Sequence, residues 1–561
     1  MTLLSKEQIQ NLQKLFLEKK YLELEFEIEA ISSFNDRSAF LANLLGVSKL
    51  RNKSSQKKDF IDAKNLFLDA YTKDPNFIDA LCNYALVSIK LKNFSHAREE
   101  LIKKRNVGYN KKINETLAKI YHFEGNIDYQ IELLKEIDKY DQLNIKDASL
   151  LLFSMNYSSN FDQIDYLNYS RKIDKIFSIP INEIQQLKNI DLTNDLKIGF
   201  VSPDLREHSV YFFLRSIFKS LKENNIKIIV FNLANKNQLD YASEELKKEV
   251  DEWVDLSELS DIESANLIIE KRINILFDLA GHTFNNRFRI FKYKPAPIQI
   301  SWLGYLNTTG IKEMDYLIAD GHLIKKDEQY FYTEKILKLP KIWNCHYGLS
   351  DKISITDPPV KKNGFITFGC FNHLNKISNK CFDVWIKILK EVNNSKLVLK
   401  ISSLDAEMIK LKLINKFQKN NINQNRFSFE NYKVKKEDHL KMYNLIDISL
   451  DTFPYPGVTT SFESIWMGVP VLTMKGSNLL SRCGESINKN LELEDFIANN
   501  ENDYIQKSIL LSKNYPKIFD LRKSLRAKAL KSPLFDKDCF GNDFSNLIKN
   551  LWKSHNLNKK I

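Results

Sequence analysis

The sequence predicts an α/β protein in which two doubly wound domains of parallel strands and helices follow an all-α helical-repeat array. Three observations predict it. Residues 1 to 190 carry helical periodicity and no strand pattern. From Leu196 short apolar runs alternate with amphipathic stretches. After a proline-containing connector the alternation begins again near Asn363. Near-continuous apolar strands separated by helices mean parallel sheets covered on both faces. The domain boundaries read from the chain are 1–190, 195–355 and 360–561, the last domain including C-terminal helices.

Within the first region two stretches align at an offset of 33: "NYALVSIKLKNFSHAREELIKK" from Asn83 and "ETLAKIYHFEGNIDYQIELLKEI" from Glu115. Ala85 pairs with Ala118, Asn93 with Asn126 and Phe94 with Ile127. Small residues stand where helices cross closely, and large apolar ones fill between them. A helix-pair repeat of this length resembles the tetratricopeptide (TPR) repeat. "DFIDAKNLFLDAYTKDPNFIDA" fits as an earlier, looser unit. An irregular helical bundle is the alternative. Either offers a stacked surface suited to an extended partner segment.

The first α/β series reads "LKIGFVS" as a strand and "VYFFLRSIFKSLKEN" as a helix, then "IKIIVFNLA" as a strand. "YASEELKKEVDEW" and "DIESANLIIEKRI" read as helices, and "NILFDLAG", "APIQISWLG" and "MDYLIADG" as strands. Residues 322–363, with Pro340, Pro358 and Pro359, read as a connector. The second series runs "NGFITFGCF", "KCFDVWIKILKEV", "KLVLKIS", "AEMIKLKLINKFQ", "RFSFEN", "EDHLKMYNL", "IDISLDT" and "VPVLTM", strand and helix in turn until the last two strands. Two such domains facing each other make a cleft, and open α/β sheets bind ligands outside the carboxyl ends of their strands.

Composition narrows the function classes. At 561 residues the chain exceeds a single core, and 43% hydrophobic with 27% charged residues is ordinary for a globular protein. No run of about 18 apolar residues predicts a membrane span. The N-terminus lacks an apolar signal core, so a cytoplasmic location is expected. Six cysteines, at 82, 345, 370, 381, 483 and 539, form no C-x-x-C pair and predict neither a zinc site nor a disulfide framework. The net charge of +12 comes from lysines spread along the chain, with no RNP motif or arginine stripe, so no nucleic-acid partner is expected. The D-x-D at Asp536–Asp538 ends no buried strand, and no metal site is expected. No G-x-x-x-x-G-K-[ST] loop points to an ATPase.

The stretch "DTFPYPGVTTSFESIWMGVPVLT" (451–473) turns sharply at Pro454, Pro456 and Gly457 and then enters a helix. "TSFE" (460–463) fits a capping box, in which Thr460 caps and Glu463 reaches back. The functional reading is an anion cradle: free N–H groups and the positive helix end face a phosphate, and Thr459 and Thr460 add hydroxyl donors. Glu463, one turn in, would accept from a ribose. The two readings are compatible.

Other candidates lie at strand ends. Lys376, in "GCFNHLNKIS", could neutralise charge building on a diphosphate leaving group, with His373 three residues earlier. Lys436 and His439 share a helix face and could flank the same ligand. His208 follows the first strand, and His282 with Thr283 follows "NILFDLAG". Histidine can take or give a proton near neutral pH.

Taken together, "IGFVSPDLREHSV", "DLAGHTFNNR", "PAPIQISWLGYLNTTG", "FGCFNHLNKIS" and "DISLDTFPYPGVTTSFESIWMGVPVLT" resemble the O-GlcNAc transferase/SPINDLY family, glycosyltransferase family 41, over roughly 200–475. The resemblance implies a two-lobed GT-B fold and metal-independent, inverting transfer of a sugar from a nucleotide sugar to Ser or Thr hydroxyls of proteins. UDP-GlcNAc is the favoured donor, and no cofactor is implied. It places Lys376 on the diphosphate and Thr459 and Thr460 on phosphate oxygens. Glu463 falls on the ribose, and Lys436 and His439 beside the nucleotide. His208 becomes a catalytic or acceptor-side group, and His282 with Thr283 falls on the acceptor side. Acceptor proteins would be held by the helical repeats. His373 and Val458 depart from the family pattern, Val458 standing where relatives have His or Thr. The alternatives are a GDP-fucose or UDP-glucose donor, a non-protein acceptor, or a TPR scaffold with an inert transferase domain.

Overall fold

A computed structural model of the chain describes residues 4–33, 36–51, 56–184, 195–401, 406–431, 433 and 435–558. It separates into two compact units, one running to Leu143 and including 406–409 among the described residues, the other running from Asn144 to 401 and again from Lys410.

The first unit is helical. Ile78–Leu91 and Ser95–Arg105 form one helix pair, and Lys111–Glu124 and Ile127–Tyr140 the next. The 33-residue offset appears in the backbone itself. Lys92 (φ 67°) and Gly125 (φ 72°) both end their helices in the left-handed conformation. The next N–H in each repeat, that of Asn93 or Asn126, donates at 2.9 Å five residues back, to Ser88 or Tyr121. Ala85 and Ala118 are fully buried at the crossings.

The second unit holds two parallel sheets. The first contains β1 (Lys197–Ser202), β2 (Lys227–Asn232), β3 (Glu252–Asp255), β4 (Ile275–Asp278), β5 (Ile298–Ser301), β6 (Tyr316–Asp320) and β7 (Lys335–Leu339), in the order β3-β2-β1-β4-β5-β6-β7. The second contains β8 (Ile366–Cys370), β9 (Ser395–Ile401), β10 (Phe427–Asn431), β11 (Ile448–Leu450), β12 (Val471–Met474) and β13 (Ile497–Ala498), in the order β10-β9-β8-β11-β12-β13. Central strands such as β4, β5 and β8 are buried along their whole length. This is the two-lobed doubly wound architecture the sequence predicts.

Several elements differ from the sequence expectation. The 322–363 connector contains edge strand β7, whose exposed Lys335 and Lys338 break the apolar run. β3, "EWVD", is likewise a charged edge strand, and the helix before it stops at Glu249. The expected helix "VYFFLRSIFKSLKEN" is broken into Ser209–Leu214, a 3-10 turn at Arg215–Ile217 and Phe218–Glu223. The helices Ile145–Met155 and Gln163–Ile173, read as part of the repeat array, belong to the second unit. The last helix, Lys537–Asn558, lies on the first lobe rather than the second. Its fully buried Phe544 packs on Trp302 and Phe277, with ring centroids 4.8 and 5.7 Å away, and Ser545 meets Ser220 at 3.1 Å. The boundary read between 190 and 195 falls within 185–194, outside the described residues.

Candidate functional site

The site is built at the carboxyl end of β11. Asp451, fully buried, follows the strand, and its carboxylate accepts from the N–H groups of Thr452 (2.9 Å) and Gly457 (2.6 Å). It also accepts from the Thr473 hydroxyl (2.8 Å) and the Asn372 amide (3.2 Å). These bonds fold 452–457 into a tight turn that includes a cis Phe453–Pro454 peptide. Burial pushes the Asp451 pKa up to about 6, against the pull of its donors and of Lys376. Gly457 has no room for a side chain: a Cβ there would lie 2.5 Å from Thr460 Oγ1 and 2.9 Å from Asn372 Oδ1.

The helix Thr459–Trp466 begins immediately afterwards. Val458 occupies the N-cap position and supplies no side-chain cap. Its carbonyl accepts from the N–H groups of Ser461 and Phe462. The N–H groups of Val458, Thr459 and Thr460 find no acceptor among the described residues. The expected capping box is absent. The Thr460 hydroxyl donates to Asn372 Oδ1, and Glu463 turns inward. What remains is a helix tip with unpaired N–H donors, its two threonine hydroxyls held by Ser209 and Asn372, and such a tip favours an anion.

Lys376 reaches the same turn from the loop after β8. Its Nζ donates to Pro456 O at 3.0 Å and sits 4.1 Å from the centroid of the Tyr455 ring, which stacks on Tyr157 on the helical segment before β1 (4.7 Å, 18°). Burial lowers the Lys376 pKa to about 8, with Asp451 opposing. His373, exposed, caps the 3-10 turn Leu374–Lys376 by accepting from Asn375 N–H.

Glu463 corrects another expectation. It is 2% exposed and its carboxylate is spent inside the protein, pairing with Lys436, with His439 Nε2 (2.9 Å) and with the Tyr443 hydroxyl (3.1 Å). Burial alone would raise its pKa, but Lys436 and His439 hold it well below the usual carboxylate range. A carboxylate this deep needs its counter-charge close by. Glu463 therefore anchors Lys436 and His439, a role the sequence reading did not give it.

The first lobe contributes the helix Ser209–Leu214. Thr459 Oγ1 donates across the lobes to Ser209 Oγ at 2.9 Å, so His208 stands next to the tip of the Thr459 helix. The His208 ring is partly exposed. Its Nδ1 accepts from Val210 N–H at 3.4 Å and lies 3.9 Å from Asp204, and its pKa is lowered by burial against the pull of Asp204.

His282 is a second correction. It is 2% exposed, packed among Phe177, Phe288 and Tyr305. Nε2 donates to Thr309 O at 2.7 Å and Nδ1 meets Ser149 Oγ at 3.1 Å. With both nitrogens committed and its pKa pushed down by burial to about 4, the ring is a neutral strut and offers nothing to an acceptor. The Thr283 hydroxyl donates to Ala280 O, closing the same turn.

The structure thus gathers Lys376, Thr459 and Thr460 on one turn, sets Lys436, His439 and Glu463 one helical turn further in, and brings His208 to the helix tip. Sequence reasoning missed Asp451 and Asn372, which shape the turn. "SLD" at a strand end and the Asn of "CFNH" were the available signals. It also missed Ser209 and the Tyr455–Tyr157 stack, which connect segments far apart in sequence.

The description "Glycosyl transferase family 41" belongs to a family model that matches residues 167–347 and 360–544. The chain belongs to glycosyltransferase family 41. Among its relatives is the rice (Oryza sativa subsp. japonica) protein described as a probable UDP-N-acetylglucosamine--peptide N-acetylglucosaminyltransferase SPINDLY. It is 35% identical over 64% of this chain and 39% of the relative. The SPINDLY protein of Arabidopsis thaliana, described in the same words, is 33% identical over 65% and 40%. The chain therefore spans about two fifths of the length of these curated relatives. A solved mutant of the Thermobaculum terrenum O-GlcNAc transferase shares the fold, with a TM-score of 0.80 and 24% identity over 92% of this chain and 99% of that one. Family 41 membership and the two-lobed GT-B architecture agree with the motif reading.

Proposed function

We propose that this chain transfers a sugar, GlcNAc from UDP-GlcNAc in the first instance, to Ser or Thr hydroxyls of protein segments, with inversion and without a metal ion. The observation that carries the reading is the convergence of Lys376, the Thr459 and Thr460 hydroxyls and the unpaired N–H groups of 458–460 on one turn at a strand end. The descriptions of the SPINDLY relatives supply the donor and acceptor classes.

In the reaction the acceptor oxygen forms a bond to the anomeric carbon from one face while the bond to the diphosphate oxygen breaks on the other. The hydroxyl proton passes to solvent water, and the nucleoside diphosphate leaves with the bonding pair. Lys376 and the helix tip hold the charge that grows on the departing oxygen. Groups aimed at developing charge contribute about 3–4 kcal/mol each where one has been removed by mutation. Glu463 fixes Lys436 and His439 at the nucleoside side. His208, at the lobe junction, orients the incoming hydroxyl. The helical-repeat unit holds the acceptor chain and raises its effective concentration.

Thermal-shift titration with UDP, GDP and their sugars, followed by intact-mass analysis of proteins co-expressed with the chain, tests this. Stabilisation by UDP and UDP-GlcNAc with mass increments of one N-acetylhexosamine supports the reading. Stabilisation by GDP with deoxyhexose increments would replace the donor by GDP-fucose. No nucleotide response and no increment would leave a scaffold.

A further inference from the structure

The sheet order puts an unassigned cation beside the nucleoside side of the site. β9 lies between β10 and β8, and Lys376 is on the loop after β8. The carboxyl end of β9 is therefore one strand spacing, about 4.8 Å, from that of β8, on the side away from the Pro454–Gly457 turn. Lys400 is the last residue but one of β9. It is half-buried and has no hydrogen-bond or ion-pair partner among the described residues. Burial pushes its pKa down, and the charges that act on its ammonium are the Glu463 carboxylate and the Lys436 ammonium.

The same cluster has a second open valence. His439 is buried and uses Nε2 on Glu463, while its Nδ1 has no partner among the described residues. The Glu463 carboxylate thus pairs with Lys436 and His439 and acts on Lys400 only from beyond pairing distance. A half-buried cation and a buried ring nitrogen left without partners are costly unless a ligand supplies them. Lys400 lies beside the β8 end that carries the Lys376 loop, on the side away from the turn, and the reading above puts the nucleoside with Lys436 and His439, whose shared carboxylate acts on Lys400.

We propose that Lys400 reads the donor's base by donating to the carbonyl oxygen at its pyrimidine 4- or purine 6-position. An ammonium has three donors and no acceptor, so it favours a carbonyl at the pyrimidine 4- or purine 6-position (uracil O4, guanine O6) and rejects the amino group that cytosine and adenine carry there. The inference rests on the diphosphate reading above and adds the residue that selects the base.

The test is calorimetric titration of the full chain with UDP, GDP, CDP, ADP and inorganic pyrophosphate. Wild type is expected to bind UDP or GDP about tenfold more tightly than CDP or ADP, the size of one charge-assisted hydrogen bond. Lys400→Met is expected to lose about tenfold on the favoured nucleotide, to bind pyrophosphate as wild type does, and to lose the preference between bases. Lys400→Arg is expected to keep the preference. If the methionine variant does not fold, Lys400→Gln, of similar reach and without the charge, is read the same way. Wild-type preference unchanged in the methionine or glutamine variant overturns this inference and leaves the transferase reading standing. Equal losses on pyrophosphate and nucleotides place Lys400 on the diphosphate and also overturn it. A wild type that binds no nucleoside diphosphate overturns both.

Discussion

Asp451 accepts the Gly457 N–H at 2.6 Å, and through that bond one buried carboxylate at a strand end sets where the Thr459 helix begins. The same carboxylate takes the Asn372 amide, and Asn372 takes the Thr460 hydroxyl, so the turn, the β8 loop and the helix tip are tied into one piece. On the proposed reading this piece is a cradle for an anion; such a cradle must be held before the anion arrives, and this network would do the holding.

Gly457→Ala tests the fit of that piece. The added Cβ would sit 2.5 Å from Thr460 Oγ1, and Thr460 cannot yield without losing Asn372. The expected outcome is a folded protein with nucleotide affinity reduced at least tenfold, read by calorimetry beside a circular-dichroism melt. Unchanged affinity would show that the turn has slack.

Asp451→Asn separates charge from shape. The Asp451 pKa is raised from about 3.8 to about 6, so the native state binds its proton more tightly than the unfolded chain does. That contribution is fully present below about pH 4 and is lost as the pH rises to about 6, an effect on the order of 2–3 kcal/mol. The stability difference between wild type and Asp451→Asn should move by that amount between pH 4 and 6 and stay flat above. Urea unfolding at pH 4, 5, 6 and 7 measures it.

Glu463→Gln carries the opposite sign. The Glu463 pKa lies well below its ordinary value, so its contribution is present above about pH 4.5 and is lost as the pH falls. The glutamine leaves Lys436 and His439 without their buried counter-charge, which costs about 3–5 kcal/mol. A neutral-pH melt should show the loss. The acid-induced part of the wild-type destabilisation assigned to this carboxylate should be missing from the variant.

In the helical unit Lys92 holds a left-handed backbone that its counterpart Gly125 adopts without strain. Lys92→Gly should stabilise that unit by about 0.5–1 kcal/mol, and Gly125→Ala should destabilise it by a similar amount. Denaturant unfolding of both variants checks the pair.

Much of this architecture was legible in the chain. The central strands announced themselves because burial on both faces leaves long apolar runs, and the helix repeat because Lys92–Asn93 and Gly125–Asn126 end their helices identically. The edge strands β3 and β7 were hidden by the charges that protect edges. At the site, Lys376, Thr459 and Thr460 could be found from their places after strands. The fates of Glu463 and His282 could not, because each depends on partners far away in sequence: Lys436 and His439 for the first, Ser149 and Thr309 for the second. A capping box and an inward-facing ion pair share the same local pattern, and tertiary burial decided between them.

The most direct test of the central claim is titration of the nucleoside diphosphate that stabilises the wild type into wild-type and Lys376→Ala protein between pH 6.5 and 9. The ammonium is the binding form, and its pKa is about 8. Wild-type affinity should therefore fall as the pH rises through 8. The alanine variant should bind at least about a hundredfold more weakly at pH 7 and lose that pH dependence, while melting as wild type does. An alanine variant that binds as tightly as wild type, with the same pH profile, would contradict the account.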